Sequence, residues 1–199
     1  MASKLYIFYC LIIAGLLCGC KENLTKIFPD ADAEGLAIFS DKGNNILSCY
    51  INDKPWKTVD RVLYTGFPNP SRTDYELYIY KFDGTTKDTL LFRWEGHFLN
   101  DSFPHFLALR LFVKQDFNKT DFSAMQEQRF IIDSSSTGFF STDINGLNTN
   151  EKGNGSIYFH KAMFDSTGHM SGLLEANFNG LKVSKGRFDE ELEFRNFFY

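Results

Sequence analysis

The chain has little cysteine that a disulfide can use. Of its four cysteines, Cys10 and Cys18 lie in an apolar leader and Cys20 closes it, leaving Cys49 alone in the body. A domain with one thiol has no internal bridge, so its stability must come from packing. Cys49 itself sits in an apolar strand pattern and reads as buried and inert rather than reactive. Positive charge is also in short supply. Lys and Arg number 21 against 25 Asp and Glu, a formal net charge of −4. Removal of residues 1–19 takes away Lys4 and brings the charge to −5. That leaves no basic field for nucleic acid and argues against a polyanion as the main partner.

Catalytic signatures are missing as well. The chain contains no Gly-x-Ser-x-Gly elbow and no Gly-x-x-x-x-Gly-Lys loop. Gly153-Asn-Gly155 begins a dinucleotide fingerprint, but Tyr158 stands where the third glycine belongs. The four histidines, His97, His105, His160 and His169, lack the His-x-x-x-His spacing of a helical zinc site and read as exposed loop residues. No stretch carries the period of a long amphipathic helix, which sets a helical bundle aside.

What is present begins with the leader. Lys4 supplies a positive charge, residues 5–17 are almost wholly apolar, and Leu17-Cys18-Gly19-Cys20 follows. This reads as a signal peptide over residues 1–19 that ends in a lipobox, the cleavage and acylation signal of bacterial lipoproteins. The apolar run is shorter than the ~20 residues of a spanning helix. Cys20 is therefore the expected lipidation site, and the partner it implies is a membrane. Two or three acyl chains there anchor stably, at about 0.8 kcal/mol per buried methylene. Lys21, rather than Asp, follows the cysteine and favours the outer membrane by the lipoprotein sorting rule. Residues 20–44, with Pro29, Gly35 and Gly43 and no sustained period, read as the lipidated N-terminus and a tether, with Leu36 to Phe39 adding a short strand.

From Asn45 to Tyr199 the pattern is that of strands. Phe (22 residues) and Tyr (nine) are abundant, and aromatic side chains favour pleated surfaces. Ile46–Ile51 is a strand, Asn52-Asp-Lys-Pro55 is turn chemistry, and Trp56 opens the next strand. Leu90, Phe92 and Trp94 alternate with Thr89, Arg93 and Glu95. Leu107, Leu109, Leu111 and Val113 alternate with Phe106, Ala108, Arg110 and Phe112. A period of two over this length marks half-buried strands. Residues 115–128 are weakly helical or irregular, and 134–156 read as a polar hairpin or long loop. Asn179-Gly180 is a strong two-residue hairpin signal between strands near Met170–Phe178 and Leu181–Asp189. The expected fold is all-β, one antiparallel sandwich or barrel-like domain over 45–199.

Several residues are candidates for function. On a β-scaffold, His97 and His105 can converge with Glu95 or Asp101 as metal ligands. The Asn-rich loop 143–154 is rich in oxygen donors for Ca²⁺, although it lacks the bidentate Glu of an EF-hand. Glu190, Glu191 and Glu193 near Asp189 offer paired carboxylates for glycoside chemistry. Glu190 shares the phase of Phe188 and Leu192, which places it at a bulge or buries it. Phe106 and Phe112 fall on an outer face, and Tyr78 and Tyr80 share one face of their strand; a second sheet or a ligand would cover them.

Asn45-Asn-Ile-Leu-Ser-Cys-Tyr-Ile-Asn-Asp-Lys-Pro-Trp56 and the pattern Phe164-Asp-Ser-Thr, Met170-Ser-Gly172, Phe178, Gly186-Arg-Phe-Asp189 resemble small uncharacterised lipoproteins of Bacteroidetes. The first segment is similar to their opening strand and turn, and the second to their closing hairpins. The match covers about 60 residues at the two ends. Asp53 stands where those proteins usually have Gly, and Asp tolerates the positive φ of such a turn. The resemblance implies a β-rich exported domain and transfers no catalytic residue. Lys21-Glu22 also resembles their surface-export signal, and Asp88-Thr-Leu90 and Asp165-Ser-Thr167 resemble their O-glycosylation sequon. The expectation is an outer-membrane-anchored lipoprotein without an enzymatic activity or cofactor, binding an envelope protein or taking part in envelope assembly. A glycan-binding surface lipoprotein and an envelope-polymer hydrolase are the alternatives.

Overall fold

The computed structural model describes residues 29–58, 75–80, 87–99, 101, 105–134, 136–144, 147–163, 168–178 and 180–192. The leader, Cys20 and residues 59–74 lie outside them. Strands dominate, and among the described residues the single helix, α1 (Lys119–Ser123), is far too short to cross a membrane.

The domain is one antiparallel sheet closed on itself. Strand β3 (Ile46–Ile51) turns through Asn52 and Asp53, at φ 48° and 62°, into β4 (Lys54–Thr58). Asp53 thus holds the positive φ expected of it. β6 (Lys87–Phe98) pairs along one edge with β7 (His105–Lys114). On its other edge β4 meets residues 96–98, and β5 (Tyr75–Tyr80) meets residues 89–94. β7 then pairs with β9 (Gly138–Ile144), β9 with β10 (Leu147–Met163), β10 with β11 (Gly168–Phe178), and β11 with β12 (Leu181–Leu192). The ring closes where β12 pairs with β3. A further strand, β8 (Gln128–Ile132), runs in line with β9 along β10. The result is an eight-stranded antiparallel barrel with extra strand pairing at its margins. Of the two expected architectures it is the barrel, and among the described residues the one other sheet is a two-stranded piece ahead of β3. Closure removes the open edges a sandwich would leave.

The alternation in β6 and β7 fills the barrel. Leu90, Phe92, Trp94, Leu107 and Leu109 are wholly buried. The Phe92 ring stacks on Trp94 at 5.9 Å, and Phe159 meets Phe92 at 5.8 Å and Phe188 at 5.7 Å. Space for these rings comes from glycines on the inner face. A Cβ on Gly172 would lie 2.6 Å from the Phe188 ring and 1.9 Å from the Tyr158 carbonyl oxygen. One end of the barrel is plugged by α1. Asn118 caps it, accepting from the N–H groups of Thr120 and Asp121, while Asp121 accepts from the Asn118 N–H. Its Phe122 meets Phe159 at 6.4 Å, with Phe117 and Met125 buried alongside.

Ahead of β3, residues 29–44 lie against the barrel wall. β1 (Pro29–Asp30) and β2 (Ala33–Ala37) pair with one another, and Ala33, Leu36 and Ala37 are buried. Gly35 sits against Pro55 at φ 81°. The Ser48 hydroxyl accepts from the Ala37 N–H, and the Tyr50 hydroxyl donates to the Glu34 carbonyl. The short strand expected near Leu36 is real, and the described part of the presumed tether is a strap fastened to the wall. The packed body therefore begins well before Asn45.

Candidate functional surface

Asp189 is the centre of the strap's attachment. β12 carries a one-residue irregularity near Lys185, at φ 50°, which moves the inward phase from Leu181 and Val183 to Gly186, Phe188 and Glu190. Asp189 consequently faces the outer wall, yet the strap covers it to 2 % exposure. Its carboxylate accepts from the backbone N–H groups of Lys42 (3.2 Å), Gly43 (2.8 Å) and Asn44 (3.1 Å). It also lies 2.7 Å from His169 Nε2. An ionised carboxylate only accepts, so that ring nitrogen carries the hydrogen. Burial pushes the Asp189 pKa up, but the bonds from His169, Gly43, Asn44 and Ser40 outweigh it and hold the carboxyl below its ordinary value. Asp189 is a structural anion in a cradle of N–H groups.

Two further clasps hold the strap. Arg187 pairs with Asp30 and donates to the Ala37 carbonyl at 3.1 Å. The hydrogen bond from Arg187 lowers the Asp30 pKa. Lys161 Nζ lies 3.0 Å from Asp41, which it likewise lowers. Beside these clasps, strap and wall enclose a groove of about 530 Å³ lined by Asp30, Ile38, Phe39, Tyr158, His160 and Leu173, among others. The edge of the Phe39 ring meets His160 at 5.7 Å, and the Tyr158 hydroxyl donates to Glu127.

The opposite side of the ring, β5–β6–β7–β9, has a different character. Register places Glu95 beside Phe106, Arg93 beside Ala108, and Leu91 beside Arg110, which in turn pairs with Phe139. The same register sets Tyr78 opposite Leu91 and Tyr80 opposite Thr89, so both tyrosine positions belong to this wall. Arg93 lies 4.0 Å over the Phe106 ring, Arg110 and Lys152 approach the Phe139 ring at 5.3 and 5.0 Å, and Phe112 meets Phe139 edge-on at 6.2 Å. Phe106, Phe112 and Phe139 are half-buried, and Arg110 is exposed.

The remaining candidates separate. His105 is buried at the start of β7 and lies 3.0 Å from Asp101, whereas His97 pairs in register with Lys57 on β4. The expected convergence is therefore one pair, and among the described residues no three metal-binding side chains cluster. None of the four histidines lies on a loop; all are on strands. The supposed loop 143–154 is the hairpin of β9 and β10, apart from Asn145 and Gly146, which lie outside the described residues. Glu190 is buried and points into the barrel, as its phase suggested, while Glu191 is exposed on the outside. The two do not face one another across a cleft, and Glu193 lies outside the described residues. Cys49 is wholly buried on the inner face, and burial pushes its thiol pKa far up.

Sequence reasoning did not identify the His169–Asp189 pair. The hairpin signal at Asn179-Gly180 fixes the pairing near the turn, but the irregularity at Lys185 shifts it by one residue beyond. No protein-family model, curated protein or solved structure matches the chain.

Proposed function

We propose that the chain is an outer-membrane-anchored lipoprotein, held by acyl chains on Cys20, whose barrel binds a protein partner or a component of envelope assembly without catalysing a reaction. The observation that supports the binding role is the β5–β6–β7–β9 wall. It combines Phe106, Phe112 and Phe139 with Arg93, Arg110 and the positions of Tyr78 and Tyr80. Tyr, Phe and Arg are the residue types enriched in the cores of protein interfaces and at their hot spots. Catalysis has less support, since the polar groups that meet under the strap hold it in place. Asp189, Asp30 and Asp41 are each committed to a structural partner.

A glycan ligand is the second reading, supported by the same aromatic residues. Phe106 offers one face to the Arg93 guanidinium, which leaves less ring for a sugar to stack on and favours a protein. The test places a photo-crosslinking side chain at Phe112 and at Ala108 of the full-length protein in its native envelope. A discrete protein adduct, lost in an Arg110→Glu variant that melts normally, is expected. Adducts to polysaccharide alone would promote the glycan reading instead.

A further inference from the structure

We infer that the strap-bearing wall of the barrel, centred on Ile38, Phe39 and Leu173, rests on the lipid surface that holds the anchor. The inference rests on the proposed acylation of Cys20. Its first support is the distribution of exposed apolar side chains. Among the described residues six large hydrophobic side chains are exposed: Ile38, Phe39, Leu99, Ile131, Met163 and Leu173. Three of them, Ile38, Phe39 and Leu173, line one groove between strap and wall. Ile38 and Phe39 are on the strap and Leu173 is on β11, while Ile131 and Met163 lie further out on the same wall, seven register positions apart along β10. Register sets Ile131 opposite Ser156, Leu173 opposite Tyr158, and Met163 opposite His169. Apolar residues gathered on one side of a soluble fold mark a contact surface.

The second support is the reach of the chain. Asp30 is fixed to the wall by Arg187, and nine residues, ten chain steps, lie between it and Cys20. Whatever their conformation, ten such steps span at most about 35 Å. A compact body of this length has a radius of gyration of about 16 Å and hence a diameter of about 40 Å. The acylated cysteine therefore stays on the side where the strap enters. That side bears Ile38, at 50 % exposure, and the groove that begins at Asp30. Tyr158 and His160 beside it are amphipathic rings suited to the headgroup zone. The β5–β6–β7–β9 wall lies across the ring from the strap and faces away from the bilayer, open to a partner.

The test uses the full-length protein in native envelopes. A benzophenone side chain is placed in turn at Ile38, at Leu173 and, on the far wall, at Arg110, all exposed positions whose substitution leaves the core untouched. After irradiation, mass spectrometry identifies the adducts, and palmitate labelling of the same samples reports acylation of Cys20. Lipid adducts at Ile38 and Leu173 at least five-fold above Arg110 are expected. Acylated protein with equal lipid adducts at all three sites, or with protein adducts at Ile38, would overturn the orientation while leaving the anchor standing. Unacylated protein would overturn both.

Discussion

Gly43 and Asp189 stand 146 residues apart in the chain, yet the glycine N–H donates to the aspartate carboxylate over 2.8 Å. With Lys42 and Asn44 supplying two more N–H groups, this single anion fastens the N-terminal strap to the last strand of the barrel. Strap and barrel are thereby mechanically continuous.

Replacing Asp189 with Asn removes acceptor capacity and leaves buried N–H groups without a full partner. Asp189→Asn is expected to cost about 3 kcal/mol, a fall of roughly 10 °C in Tm for a domain of this size. Limited trypsin digestion should then cut at Lys42 faster than it does in the wild type.

The same carboxyl gives the stability curve its acid limb. The pKa of Asp189 is held below its ordinary value in the fold. Its contribution is fully present above the unfolded value near 3.9 and is lost as pH falls through the folded value. Thermal melts from pH 7 down to pH 2.5 should show a difference between wild type and Asp189→Asn that is constant above about pH 5 and shrinks below pH 4. A difference that widens in acid would contradict this.

Packing sets a second contrast. A Cβ at Gly172 meets the Tyr158 carbonyl oxygen at 1.9 Å, whereas one at Gly180 meets nothing within 4 Å. Gly172→Ala is expected to cost about 3 kcal/mol by overpacking the β10–β11 seam. Gly180→Ala, at φ 77°, costs about 1 kcal/mol from backbone strain alone. Denaturant unfolding of the two variants measures both.

Cys49 should be silent to thiol reagents at neutral pH until the barrel unfolds, because burial keeps it protonated and out of reach. Reaction with a chromogenic disulfide reagent, with and without denaturant, gives the readout. Native labelling at the rate of a free thiol would place Cys49 outside the core.

Much of the barrel was legible because its strands obey the period of two. Leu90, Phe92 and Trp94, and Leu107, Leu109 and Leu111, declare their inward face in the sequence, and Asn52-Asp53 and Asn179-Gly180 declare their turns. The choice between sandwich and barrel was not legible, since it depends on β12 returning to β3, a pairing without a local signal. Nor was the strap. Its sequence lacks a period because it is held by backbone N–H groups on one distant carboxylate and by small buried residues such as Ala33. Phe106 and Phe112 could be read as outward and Tyr78 and Tyr80 as sharing one face, but only the register of β5 on β6 sets the two tyrosine positions beside Leu91 and Thr89 of that wall.

The most direct test is the mass of the mature N-terminus in protein extracted from native envelopes, alongside a Cys20→Ala variant. The account expects a chain that begins at Cys20, carries two or three acyl chains and partitions with the outer membrane, and a variant that loses both properties while its barrel melts at the same temperature. A wild-type N-terminus at another residue, or an unmodified Cys20 in a freely soluble protein, would contradict it.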